Sequence, residues 1–358
     1  MIALEVSSAS WRHAYGGIPR AIRNLVWGLV RIDPETRYDL CYRFSRWRKG
    51  KLFRPEVTNV RVRMIQDPFN SVLMRGNRVF HSMGIYMPTT PRIPKLLTVH
   101  DLNAVRNVQW VSPHWHERRS ARIREAVSRA DHVVAISSFS AQEIREEFNL
   151  PEDRVHPVLL GVDSEQFSPP SQEMIAQTRR KHGDYVLAIG VLTPRKNFVR
   201  LIEAIAPLKD LRLVLVGRGS SDGKGEVEEA IQKSGLGKRV TRLVGVSDTE
   251  IPALLGAARV YAVPSLYEGF GLTVLEGMAC GAPVVCSDAA SLPEVAGDAA
   301  YMVDPTSVEA LRQAIRQVAG DGEFASQLRE RGLARARLFS WERSARTLRA
   351  LYREIGGV

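Results

Sequence analysis

Along almost the whole chain, short runs of β-branched and aliphatic residues alternate with stretches in which apolar positions recur every three or four residues. The first pattern fits strands buried on both faces, and the second fits helices with one apolar side. In the first half, the runs at 2–6, 38–44, 60–65, 78–81, 96–100, 132–136 and 155–159 predict strands, and 18–32, 112–130 and 138–148 predict helices. The first helix places Ile22, Leu25, Val26 and Leu29 on one face and carries Pro19 in its opening turn, where the missing N–H is no loss. The next opens on Ser112 and Pro113, a cap followed by a first-turn proline.

The segment at 161–173, GVDSEQFSPPSQE, is rich in turn formers and holds Pro169-Pro170, which makes it a linker. The alternation then restarts, with strands predicted at 185–190, 211–217, 239–245, 259–264, 283–287 and 300–304. Strands separated by helices imply parallel sheets with crossover connections. At 358 residues the chain is long enough for two cores. The expected fold class is therefore α/β, with two Rossmann-like doubly wound domains at 1–165 and 175–339 facing a central cleft. An amphipathic helix in 340–358 is expected to pack back on the first domain. Ligands of open α/β sheets bind beyond the carboxyl ends of the strands.

Composition narrows the class further. With 44% hydrophobic and 25% charged residues the chain is neither fibrous nor disordered. Its first residues lack a basic leader and no stretch reaches the ~20 apolar residues of a membrane span, so a cytoplasmic location is expected. Cys41, Cys280 and Cys286 fit neither a redox pair nor a zinc site and read as buried thiols. Most of the net charge of +11 lies at the start: residues 1–63 hold 13 Lys and Arg against 5 Asp and Glu. Its densest part, YRFSRWRKGKLFR (42–54), mixes six cations with aromatic rings and contains no acid. Arg43, Arg46, Trp47, Arg48 and Lys49 are candidates for an anionic membrane face or an acceptor. Nucleic acid is a weaker partner for such a stretch, and a solvated edge strand is the plain structural alternative.

Three glycine-rich loops follow predicted strands. VGRGSSDG (216–223) breaks the dinucleotide fingerprint at Asp222, and no acid ends the next strand, which argues against NAD. YGGIPR (15–20) opens a helix, where paired glycines admit an anion to free amides, although Pro19 removes one donor. GVLTPRKNF (190–198) delivers Arg195 and Lys196 at a strand end, and two adjacent cations there suit a diphosphate.

The stretch YAVPSLYEGFGLTVLEGMACGAPVV (261–285) then sets Glu268 in a turn and Glu276 two helical turns later, inside an otherwise apolar core segment. Two acids with Gly269 and Gly271 between them can meet sugar hydroxyls while backbone amides meet phosphate, which points to a nucleotide sugar. The eight-residue spacing of Glu268 and Glu276, the Arg195-Lys196 pair, Gly16-Gly17, His100-Asp101 and Gly161-Val162-Asp163 together resemble glycosyltransferase family 4, over the whole chain. TPRKN and SLPEVAGDAA (291–300) are most similar to bacterial polysaccharide mannosyltransferases.

The resemblance implies the GT-B architecture and a retaining transfer of a hexose, mannose from GDP-mannose, to a glycan or lipid-linked acceptor. It implies that Glu276 holds ribose hydroxyls and Glu268 those of the sugar. Gly269, Phe270, Gly271 and Leu272 would line sugar and phosphates, and Arg195 and Lys196 would neutralise the leaving diphosphate. Gly16 and Gly17 would close on the donor, His100 would sit beside the anomeric carbon, and Val246 would border the base. Leu160 and Val191 depart from the residues usual in the family, Asn and Arg, which touches donor preference.

No metal or other cofactor is expected, because the cation pair can do electrostatically what Mg²⁺ does elsewhere. Retention is expected by front-face attack, with Asp101 as an alternative nucleophile. His114-Trp115-His116 has the look of a metal pair, but residues two apart on a helix face different ways. The rival readings are a UDP-sugar transferase, a sugar-nucleotide epimerase, and a non-catalytic nucleotide-binding protein.

Overall fold

Each predicted strand run forms a strand in the computed structural model, which describes residues 1–10, 17–50, 52–89, 92–110, 113–219 and 224–357. In the first half these are β1 (Ile2–Glu5), β2 (Tyr38–Arg43), β3 (Val60–Ile65), β4 (Val79–Ser82), β5 (Lys95–Val99), β6 (His132–Ala135) and β7 (Val155–Pro157). They make one parallel sheet in the order β3-β2-β1-β4-β5-β6-β7. In the second half β8 (Tyr185–Ile189), β9 (Arg212–Val216), β10 (Val240–Leu243), β11 (Val260–Val263), β12 (Val284–Ser287) and β13 (Tyr301–Val303) make another, in the order β10-β9-β8-β11-β12-β13. Both are doubly wound: the chain steps outward one way, returns to the middle, and steps outward the other way. The reversal falls between β1 and β4 in one sheet and between β8 and β11 in the other.

The chain divides into two units. One takes Met1–Val108, Pro113–Gly161 and Ser340–Val358, and the other takes Val162–Phe339 with Gln109 and Trp110. Central strands such as β1, β4, β11 and β12 are buried at every position, as strands covered by helices on both faces must be. The last helix, Trp341–Gly356, is capped by Ser340 and lies on the first unit's helix Gly17–Ile32. Gly28 permits this crossing, because a Cβ there would stand 2.8 Å from the Trp341 carbonyl oxygen and 2.9 Å from Ala345 Cβ. Arg349 pairs with Asp33, the Ser344 hydroxyl donates to the Leu159 carbonyl at 2.5 Å, and Tyr352 meets His81.

The basic stretch differs from a solvated edge strand. β2 is interior, between β3 and β1, and its Tyr42 is buried, donating to the Phe53 carbonyl at 2.5 Å. Of the cations, Arg43 ends β2, Arg46 lies on a single helical turn, Phe44–Trp47, and Arg48 and Lys49 follow it. The reason is register: residues 38–41 pair with neighbours on both sides, Tyr42 and Arg43 pair with β3 alone, and pairing ends before Phe44.

Candidate functional site

The second sheet reverses between β8 and β11, so the loops after these two adjacent strands meet at its carboxyl edge. After β8 the backbone turns at Gly190, and residues Pro194–Lys196 form a short 3-10 turn. After β11 comes the loop carrying Glu268, which ends at Gly271 where helix Leu272–Ala279 starts. Gly271 has φ +113°, a region that L side chains rarely adopt, and a Cβ there would press on Leu292 Cδ2 at 2.8 Å.

Glu268 joins the loops. Lys196 Nζ donates to one of its oxygens at 2.5 Å, and Arg195 Nη1 lies 2.8 Å from the other. Arg195 also donates to the Tyr267 carbonyl at 2.5 Å and accepts, through its own carbonyl, from the Leu266 amide at 2.8 Å. Burial alone would raise the Glu268 carboxyl, but the two cations outweigh it and hold the group down at about 2. Lys196 is buried, and desolvation lowers its pKa against the pull of Glu268, with Arg195 adding to the fall. Two cations thus share one anion in a low-dielectric pocket. Glu276 adds its field at Lys196, and a pair of adjacent cations is the arrangement that suits phosphate oxygens.

Asn197 anchors this turn. It adopts the left-handed conformation, φ +59°, and its amide donates to the carbonyls of Pro264 at 2.9 Å and Pro305 at 2.7 Å. Ser291 anchors the other loop, its hydroxyl shared between the carbonyls of Glu268 at 2.8 Å and Phe270 at 2.7 Å. Sequence reasoning gave neither residue a role. The signal for Asn197 was its place after Lys196, where a left-handed residue lets a tight turn enter helix Phe198–Ile205. Glu276 is buried within helix Leu272–Ala279. The next residue is Gly277 because any Cβ would collide with the Tyr261 ring.

The structure therefore brings Arg195, Lys196 and Glu268 into direct contact, with Gly269, Phe270, Gly271 and Leu272 leading from them into the helix that carries Glu276. Val246 stands elsewhere in the same unit, after β10, and lines a cavity of about 530 Å³ together with Lys181 and Arg242. A larger cavity, about 820 Å³, borders the turn through Thr193, Pro194 and Asn197 but does not include the charged trio.

In the first unit, His100 follows β5 and is buried, its Nε2 donating to the Met83 carbonyl at 3.0 Å. A carbonyl only accepts, so Nε2 carries the proton and Nδ1 the lone pair. Burial pushes the imidazole pKa down, which keeps it neutral. Gly17 begins its helix and is exposed, whereas Gly16 lies outside the described residues. Asp101 accepts from the Asn103 amide at 3.1 Å. His114 is exposed and His116 contacts the Ala104 carbonyl at 2.9 Å. Among the described residues no three His, Cys, Asp or Glu side chains converge as a metal site. Arg43 reaches the buried Glu5 at 3.5 Å, Arg48 stacks over the exposed Phe44, and Trp47 and Lys49 are exposed. Arg46 is partly exposed.

Comparison with known proteins gives these features a family. Residues 15–166 match the model for "Glycosyltransferase Family 4" and residues 171–335 that for "Glycosyl transferases group 1". The chain is 34% identical over 278 residues to O-antigen chain mannosyltransferase B of Escherichia coli, covering 74% of this chain and 71% of that one. It is 31% identical over 275 residues to the MMP alpha-(1->4)-mannosyltransferase of Mycolicibacterium hassiacum, covering 72% of this chain and 65% of that relative. Among solved structures, sucrose-phosphate synthase from Thermosynechococcus elongatus superposes with a TM-score of 0.78 at 24% identity, over 99% of this chain and 98% of that one.

Proposed function

The chain belongs to glycosyltransferase family 4, with the GT-B fold, and from that premise we propose that it is a retaining mannosyltransferase that uses GDP-mannose and extends a surface polysaccharide. One observation carries the reading. Arg195, Lys196 and Glu268 converge from loops after β8 and β11, at the point where a doubly wound sheet binds its ligand. Mannosyl transfer is supported by the mannosyltransferases among the relatives.

In this reading the donor's diphosphate enters beside the cation pair, and Glu268 turns part of its hydrogen-bonding capacity to the sugar hydroxyls. Glu276 accepts from the ribose hydroxyls, Val246 borders the base, and the amides of residues 269–272 face the phosphates. As the bond between the anomeric carbon and the phosphate oxygen breaks, negative charge grows on the diphosphate, where Arg195 and Lys196 stabilise it. The acceptor oxygen forms its new bond on the same face, and its proton passes to the departing phosphate. No metal ion is needed for this step. The cations at 43–49 hold the protein against an anionic inner membrane face, where a lipid-linked acceptor is presented.

The test is transfer from GDP-mannose to a mannose-terminated oligosaccharide in EDTA, with the anomeric configuration of the product read by proton NMR. An α-linked product without added metal is expected. An inverted product overturns the retaining mechanism, and turnover with UDP-sugars alone moves the donor to a uridine nucleotide.

A further inference from the structure

β2 and β3 run parallel at one edge of the first sheet, with Arg43 in register with Ile65, so the turns that follow them emerge at the same corner. Both turns expose large apolar side chains. Phe44 and Trp47 are 44% and 38% exposed after β2, and Phe69 and Val72 are 63% and 75% exposed after β3. The second turn is held rigidly. Asp67 accepts from Asn70 Nδ2 at 2.6 Å, the Tyr86 hydroxyl at 3.0 Å and the Thr89 hydroxyl at 3.2 Å, while Asn70, fully buried, accepts from the Gln66 amide at 2.8 Å. Asn70 and Met74 point inward and Phe69 and Val72 outward. Arg43 lies over the Tyr86 ring, at 5.8 Å, and so links the two turns. A polar network that fixes a turn in order to present a phenyl and an isopropyl group to water gives the fold nothing through burial. It gives a preformed apolar wedge.

We propose that this corner is a bipartite membrane-docking surface, in which Phe69 and Val72 insert into the acyl region while Arg46, Arg48 and Lys49 meet anionic headgroups. The inference rests on the membrane reading of the basic stretch and adds to it a second, salt-resistant element. Charge selects the partner: residues 44–54 contain no acid, and the only acid in 66–75, Asp67, is taken up by its three donors. Apolar tips rule the same way, because Val72 has nothing to offer the phosphates and bases of a nucleic acid. The corner also lies on the carboxyl edge of the sheet, the edge that carries His100 and the start of helix Gly17–Ile32. A lipid-borne acceptor at the bilayer surface would reach that edge directly.

Sedimentation with vesicles of phosphatidylcholine, alone or with phosphatidylglycerol, separates the two elements when run at about 0.05 M and 0.5 M salt, where screening differs strongly. The whole protein is expected to bind the anionic vesicles at both. Phe69→Ser with Val72→Asn should keep binding at low salt and lose it about tenfold or more at high salt, while Phe69→Leu with Val72→Ile should bind as the unaltered chain does. Arg46→Ser, Arg48→Ser and Lys49→Ser together should weaken binding at low salt to about the level the unaltered chain shows at high salt. Undiminished high-salt binding by the Phe69/Val72 polar variant overturns the wedge and leaves the basic stretch standing. Failure of the unaltered chain to bind either vesicle overturns both, and release of bound protein by duplex RNA at equal phosphate transfers the surface to nucleic acid.

Discussion

At the scale of single residues, the chemistry rests on how charge is shared. Glu268 bridges both Lys196 and Arg195 in a largely buried pocket, and Glu276 adds its pull on Lys196. Lys196→Ala is expected to lower kcat by roughly 100-fold with a smaller change in KM, since the charge it meets grows as the glycosidic bond breaks. Steady-state kinetics with EDTA present checks this, and a change confined to KM makes Lys196 a ground-state binding group. The pairing also predicts an acid effect. Glu268 is held at about 2, below the ordinary carboxylate range near 4.3. Its contribution to stability is therefore complete above that range and lost as the pH falls toward 2. Glu268→Gln should accordingly lower Tm clearly at pH 7 and progressively less as the pH falls from about 4.3 toward 2, because the unfolded chain takes up a proton there that the native carboxylate does not. A Tm difference independent of pH would mean that the cations do not depend on the carboxylate.

Between the strands, short elements set the geometry of the site. The 3-10 turn Pro194–Lys196 is tied to the β11 loop by Asn197, whose left-handed backbone and two carbonyl contacts act separately. Asn197→Gly keeps the backbone conformation, whereas Asn197→Ala loses both. The expectation is a loss of stability of about 1–2 kcal/mol for Gly and a larger loss for Ala, read by urea denaturation. Equal losses would assign the whole effect to the side chain. These anchors also show where sequence reading ends. The strands, the helix holding Glu276 and the Arg195-Lys196 pair were legible because burial periodicity and turn chemistry are local. The contact of Lys196 with Glu268 spans 72 residues and depends on β8 lying beside β11, a neighbour relation no local pattern encodes. Ser291, 23 residues from Glu268, was hidden for the same reason. The edge-strand alternative for the basic stretch fails because strand order, not composition, makes β2 interior.

At the scale of the whole chain, the last helix completes the first unit rather than the second, although it follows the second in sequence. Its Tyr352 hydroxyl lies 2.6 Å from Nδ1 of His81, whose Nε2 lies 2.7 Å from the Thr98 hydroxyl on β5. Full burial, with His100 nearby, pushes His81 down to about 3. The unfolded chain protonates the same group near 6.5, so stability from this contact is whole above that pH and declines as the pH falls from there toward 3. His81→Gln should shrink the loss of Tm between pH 7 and pH 5, and an unchanged pH dependence would remove His81 from that account. The nucleotide-sugar site proposed for the second unit is tested most directly by ligand-induced thermal stabilisation. At about 100 times its dissociation constant a ligand of the folded state adds about 2.7 kcal/mol. The account predicts that GDP and GDP-mannose raise the Tm of the unaltered chain and leave that of Glu276→Ala almost unmoved. No rise with any nucleotide, or an equal rise in Glu276→Ala, would contradict it.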